Sequence, residues 1–173
     1  MPKPIRIYVQ AIDAVNRVLG RLVMYMIFVM MGVLLFSSIS RTVFNESYIW
    51  IVEIAQFMLA AYYLLGGGYS MQLDAHVRMD LLYGRWSPRR KAIVDAVTSI
   101  FLIFYLVILL RGGISSTEYA IEYGQKNYSS WAPQLWPIKV IMCTGITLML
   151  LQSLAMFFRD LEVALKAEKE VVE

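Results

Sequence analysis

The chain has 173 residues, a net charge of +3, a hydrophobic content of 59%, one cysteine and one histidine. This length and composition indicate one membrane domain without a separate soluble domain. One cysteine excludes an intrachain disulfide, and one histidine excludes a bis-histidine haem site. The small positive charge does not indicate nucleic-acid binding, because the basic residues flank apolar runs where lipid headgroups favour them.

Residues 5–20 are predicted to form an amphipathic helix that lies in the membrane interface. Polar residues recur there every three or four positions, at Arg6, Gln10, Asp13, Arg17 and Arg21, and apolar residues fill the opposite side. Arg6, Arg17 and Arg21 are the predicted anchors to lipid headgroups. The alternative is that this helix packs on a partner subunit.

Four apolar runs then predict four transmembrane helices. Three of the runs contain 19 or 20 consecutive residues without Asp, Glu, Lys or Arg. A helix needs about 20 residues to cross a hydrocarbon layer of about 30 Å, and backbone in lipid must form its hydrogen bonds within helices. The sequence therefore predicts an all-α multi-pass protein of a bacterial inner membrane. Its spans are expected at residues 21–41, 48–73, 91–112 and 137–159, followed by a charged cytoplasmic tail at 160–173.

The third helix has a clear start. Ser87 can cap it and Pro88 suits its first position, while Arg89, Arg90 and Lys91 are predicted interfacial anchors. Helical patterning can continue past Gly112-Gly113 as far as Tyr123, which would exceed the thickness of the bilayer. Such a helix must tilt, kink at the glycines or project outward.

The basic residues predict the orientation. Twelve of the 16 Lys and Arg residues lie before the first span, between the second and third, or after the fourth. The other four lie on the opposite side. Because cytoplasmic segments carry the excess of Lys and Arg, both termini are expected in the cytoplasm.

Glu53 is the most informative polar residue, because a carboxylate inside a span is costly unless it is paired. It lies about one turn inside the second span, with Gln56 predicted on the same face. One interpretation makes Glu53 a proton or cation site. The other, which we favour because Glu53 stands alone near the interface, pairs it with Arg41 or with a partner subunit.

Other polar and small residues have structural interpretations. Gly66 and Ser70 lie four residues apart and are predicted to allow close helix packing. Asp74, His76 and Asp80 are a weak candidate set of metal ligands. We interpret them instead as residues that order the turn between the second and third spans. Motifs of nucleotide loops, metalloproteases and nucleophile elbows are missing from the sequence. We therefore expect no enzyme activity, no cofactor and no metal site.

Three stretches resemble the small membrane subunit, the Q-type subunit, of tripartite ATP-independent periplasmic (TRAP) transporters. They are the entry to the second span at Trp50-Ile51-Val52-Glu53, the connection containing His76, Arg78 and Asp80 before Ser87-Pro88, and Trp136-Pro137-Ile138-Lys139 at the start of the fourth span. The resemblance covers the chain in size, number of spans and topology. The candidates for structural or partner contacts are Arg41, Trp50, Glu53, Gln56, Gly66, Ser70, His76, Arg78, Asp80, Trp136 and Lys139.

The resemblance implies a three-part secondary transporter for organic acid anions. A periplasmic binding protein captures the substrate, and a large elevator-type permease subunit moves it with sodium ions. The small subunit enlarges the stationary scaffold, so that sodium coupling is expected in the partner. This agrees with the residues, since the chain lacks the interrupted helices that build midplane ion sites.

Two other classes stay open. Small four-span dimeric exporters also carry one membrane carboxylate, but theirs is expected in the first span, whereas Glu53 is near the outer end of the second. A membrane assembly or sensor protein without transport activity is the other alternative. The resemblance implies that the other two components select the substrate.

Overall fold

The computed structural model describes residues 3–73 and 88–172, with side chains described for residues 3–73, 94, 95 and 97–163. The described chain forms four helices, α1 (Lys3–Val43), α2 (Ile49–Gln72), α3 (Pro88–Glu122) and α4 (Trp136–Val172). Each contains a segment long and apolar enough to cross a membrane. The described residues contain no strand beyond one isolated bridge, and the predicted all-helical architecture with four candidate spans is confirmed.

Helix α1 is continuous over 41 residues, a length of about 61 Å at about 1.5 Å per residue. Residues 5–20 are helical, but the structure does not set them apart as a separate element from the first span. The one helix-weakening residue between the two parts is Gly20, and a glycine in a helix interior costs only about 1 kcal/mol. The polar segment therefore continues the axis of the first span.

Helix α3 also runs without interruption, through both Gly112 and Gly113, for 35 residues or about 52 Å. Gly113 faces α4, where an added Cβ would lie 3.2 Å from Sγ of Cys143, whereas Gly112 faces open space. These glycines permit packing rather than break the helix. The helix ends before Gly124, whose φ of 57° is a left-handed conformation that suits glycine.

The four helices do not form a closed bundle. Helix α4 packs on α2 and on α3, while α1 packs on α2 and less extensively on α4. Sequence neighbours within each pair are antiparallel, and α2 and α4 run parallel to each other. The loops 44–48 and 123–135 consequently lie at one end of the molecule, called here the loop end, and the start of α1 and the end of α4 lie at the other, the terminal end.

This open arrangement leaves much apolar surface uncovered. In the most apolar 18-residue windows of α1 and α3, 6% and 11% of residues are buried, compared with 33% in α4. Helix α4 is therefore the central element, and the outer faces of α1 and α3 are available to lipid or to other proteins.

Candidate functional site

A buried polar network joins α1 to α4 near the terminal end. Asn16 donates from Nδ2 to Oε1 of Gln152 at 2.7 Å, and Gln152 donates from Nε2 to Oδ1 of Asp13 at 3.0 Å. Arg159 completes the chain by an ion pair with Oδ2 of Asp13. Asn16, Gln152 and Asp13 are all buried, so the network holds the two helices in one register.

Sequence reasoning did not identify this network. It placed Asp13 on the polar stripe that was expected to face headgroups, whereas Asp13 is buried against α4 and its exposed neighbours Arg6, Arg17 and Arg21 stay on the surface. The available signal was that Asn16 and Gln152 interrupt apolar faces of their helices. Their pairing across 136 positions cannot be read from periodicity.

Glycines mark the closest approaches between helices. An added Cβ at Gly20 would lie 2.3 Å from the ring of Tyr69, and one at Gly68 would lie 2.7 Å from Oδ1 of Asn16. An added Cβ at Gly145 would lie 2.6 Å from the backbone carbonyl oxygen of Leu64. These distances exclude larger side chains without movement, so α2 depends on glycine where it meets α1 and α4.

Gly66 is not one of these contacts. The nearest neighbour of an added Cβ at Gly66 is Cγ1 of Val23, at 3.9 Å, which is ordinary van der Waals separation. The intrachain contacts of the triple glycine are made by Gly67, against Met149, and by Gly68, against Asn16. The small face that Gly66 forms with Ser70 is thus left largely unfilled by this chain.

Glu53 is buried within the chain, with 6% of its surface exposed. Its Oε2 atom is buried and has no hydrogen-bond partner among the residues that the structure describes. Arg41 is exposed and forms no ion pair with Glu53. The predicted Glu53–Arg41 pair is therefore not formed, because Arg41 lies at the surface of the loop end while Glu53 is enclosed by the chain.

Gln56 behaves differently from Glu53 although the two were expected on one face. Its side chain is exposed, and it makes no side-chain hydrogen bond within the described part of the chain. Residues three apart on a helix are separated by about 60° around its axis, so Glu53 lies on the buried side of α2 and Gln56 on the exposed side. The two residues therefore belong to different surfaces of α2.

Lys139 organises the loop end. Its Nζ atom donates to the backbone oxygen of Ser116 at 3.1 Å, to Oγ of Ser116 at 2.9 Å and to Oε1 of Gln125 at 2.7 Å. All three ammonium protons are thereby used within the chain. Trp136 donates from Nε1 to Oε1 of Gln134 at 2.7 Å. Both residues were partner candidates. Within this chain, Lys139 joins α4 to α3 and to the loop 123–135, and Trp136 joins α4 to the same loop.

The remaining candidates divide by position. Trp50 is half exposed at the loop end, with its ring centroid 6.2 Å from that of Tyr48, as expected for an interfacial aromatic group. His76, Arg78 and Asp80 lie outside the described residues, as do the side chains of Arg89, Arg90 and Lys91.

Across the described residues, no group of three His, Cys, Asp or Glu side chains could hold a metal ion. The polar groups that are present connect helices of this chain to one another. A site with these properties supports packing of the helices on one another.

Comparisons with known proteins agree with this picture. A search of curated proteins found no match. A model of the DctQ family, described as the DctQ component of tripartite ATP-independent periplasmic transporters, matches residues 14–163. The match includes all four candidate spans and most of the polar network, and its family consists of transporter components rather than enzymes. The chain therefore belongs to the DctQ family and is a small membrane component of a TRAP transporter.

Proposed function

We propose that this chain is the scaffold subunit of a sodium-coupled secondary transporter for organic acid anions in a bacterial inner membrane. It stabilises a large elevator-type permease, and a periplasmic binding protein delivers the substrate. Family membership supports this set of partners. Sodium ions and substrate are bound by the permease and the binding protein.

The observation that supports the proposal is a contrast between the large uncovered apolar surface of the helices and the small number of ionisable groups in the predicted spans. The four helices leave wide apolar faces uncovered, yet Glu53 and Asp95 are the two acidic residues in the predicted spans 21–41, 48–73, 91–112 and 137–159. A sodium-coupled carrier of an anion needs several oxygen ligands and positive helix ends near the midplane. Uncovered faces on continuous helices suit a stationary subunit instead.

We propose the N-in/C-in orientation, with the loop end in the periplasm. The excess of Lys and Arg near the terminal end supports it. In this orientation residues 3–20 extend α1 on the cytoplasmic side, where the exposed Arg6, Arg17 and Arg21 can contact lipid headgroups.

The test of function is reconstitution in liposomes with a sodium gradient and the matched binding protein. Uptake is expected only when both the large permease and this chain are present. Accumulation of substrate by this chain alone would refute the scaffold role and favour the dimeric exporter.

The test of orientation is labelling with a membrane-impermeant thiol reagent in a Cys143→Ser background. Ser47→Cys and Ser130→Cys, both at exposed positions of the loop end, are expected to react in intact cells. Gln10→Cys, exposed at the terminal end, is expected to react only after the membrane is opened. The reverse pattern would refute the orientation.

A further inference from the structure

One face of α2 has the spacing of a helix–helix seam from end to end. Its residues follow one another at intervals of four and three, the period that keeps a stripe facing a partner helix in a left-handed pair. We call this stripe the α2 seam: Val52, Gln56, Leu59, Tyr63, Gly66, Ser70 and Leu73.

The described chain leaves five of the seven seam residues exposed and covers Gly66 and Ser70 in part. Val52, Leu59, Tyr63 and Leu73 are exposed over 56%, 40%, 67% and 58% of their surfaces, in that order. Toward the terminal end, an open groove of about 460 Å³ lies between α1 and α2, and Tyr63, Gly66, Ser70 and Leu73 line it. The groove exists because Gly66 has no side chain and its nearest neighbour stays 3.9 Å from an added Cβ.

Gln56 indicates that the missing neighbour is a protein helix rather than lipid. It lies six residues beyond Trp50, about 9 Å further into the membrane along the axis. Its amide has two donors and an acceptor, and none is satisfied within the described chain. Hydrocarbon cannot satisfy these groups, whereas a polar side chain on another helix can.

The hydropathy and burial of α2 also indicate that another protein helix covers it. Within the most apolar 18-residue window of each candidate span, α2 has the lowest mean hydropathy, although this window is less buried than that of α4, with 22% of residues buried compared with 33%. A more polar span is expected to be the more buried one if all its contacts lie within the chain. The outward face of α3, by contrast, presents hydrocarbon and aromatic groups such as Ile100, Phe101 and Phe104.

We infer that the α2 seam is the docking surface for a transmembrane helix of the large permease. That helix places a hydrogen-bonding group against Gln56 and a bulky apolar side chain in the groove at Gly66. The inference rests on the proposed function, because it takes the permease as the partner. It assigns the contact to α2 and leaves the outer faces of α1 and α3 to lipid.

The first test is site-specific photo-crosslinking in the membrane complex of this chain with its permease. Benzoylphenylalanine in place of Leu59 or Tyr63 is expected to crosslink to the permease. The same group in place of Phe101 or Phe104, on the outward face of α3, is the matched control and is expected to react with lipid.

The second test measures how much permease copurifies with tagged variants. Gly66→Leu fills the groove and Gln56→Leu removes the amide, so each is expected to lower copurification by about three- to tenfold. Gly112→Leu is the control, since an added Cβ there meets nothing within 4 Å. Unfolding of each purified variant by itself separates loss of docking from loss of folding.

The outcomes of these two tests distinguish failure of the α2 seam from failure of the proposed function. If the unaltered chain fails to copurify with the permease, the proposed function is overturned together with this inference. If it copurifies while both seam variants bind normally or the crosslinks arise from α3, the seam is overturned and the proposed function stands. Seam crosslinks to a second copy of this chain, or to lipid alone, also overturn the seam.

Discussion

Replacing Gln152 by leucine should separate the polar network from ordinary apolar packing. Gln152 is completely buried and makes two hydrogen bonds, one to Asn16 and one to the carboxylate of Asp13. Leucine has a similar volume, so the substitution removes hydrogen bonding with little change in packing. It also leaves the buried amide of Asn16 and one oxygen of Asp13 without their described partner.

The expected loss follows from those two bonds. Side-chain hydrogen bonds between membrane helices contribute about 0.6 to 1.7 kcal/mol each, which gives a loss of about 1 to 3 kcal/mol for Gln152→Leu. The charged acceptor at Asp13 favours the upper part of this range. Because the two residues share a bond, Asn16→Leu combined with Gln152→Leu should cost less than the sum of the single changes.

The assay is unfolding of the purified chain in mixed micelles by increasing SDS, followed by tryptophan fluorescence and circular dichroism. Gln56→Leu is the matched control, since it makes the same chemical change at an exposed position without an intrachain hydrogen bond. It should leave the unfolding midpoint unchanged or raise it. Equal midpoints for the two variants would refute the assignment of stability to the network.

Three further predictions concern other contacts. Gly145→Ala should destabilise the chain by about 1 to 3 kcal/mol in the same SDS assay, since the new Cβ would lie 2.6 Å from the carbonyl oxygen of Leu64. Gly112→Ala is the control, because Gly112 faces open space, and it should stabilise the helix by up to about 1 kcal/mol. Lys139→Met should accelerate amide hydrogen exchange across the loop 123–135 because three hydrogen bonds are lost, and exposed Lys126→Met should not. Glu53→Gln should raise the SDS unfolding midpoint of the isolated chain, since a buried amide costs less than a carboxylate whose Oε2 lacks a described partner. A lowered midpoint would show that Glu53 has a partner.

The sequence was sufficient for the helical class and for the number of candidate spans. Each span is a long apolar run, and run length is set by bilayer thickness rather than by tertiary contacts. The same rule does not predict where α1 begins, because a polar helical segment followed by an apolar one has the composition of two separate helices. Only the unbroken backbone of Lys3–Val43 shows that they are one.

Side-chain partners were harder to predict, because they depend on the order in which helices pack. The expected pair of Glu53 and Arg41 assumed that α1 and α2 present those residues to each other, and rotation of α2 buries one while the other stays exposed. For Gly66 the spacing was informative, but the packing surface it indicated lies on the outside of this chain. Spacing identifies a face, and it does not identify the molecule that covers that face.

The bonds between α1 and α4 have a consequence for biogenesis. Asn16 leaves the ribosome 136 residues ahead of Gln152, which at about 5 to 20 residues per second is a delay of about 7 to 27 s. During that interval Asp13 and Asn16 have neither Gln152 nor Arg159 to bind, and only water or lipid headgroups can solvate them. The contacts between the start of α1 and α4 therefore form only after the last span has been synthesised, so that residues translated early are among the last to reach their final partners.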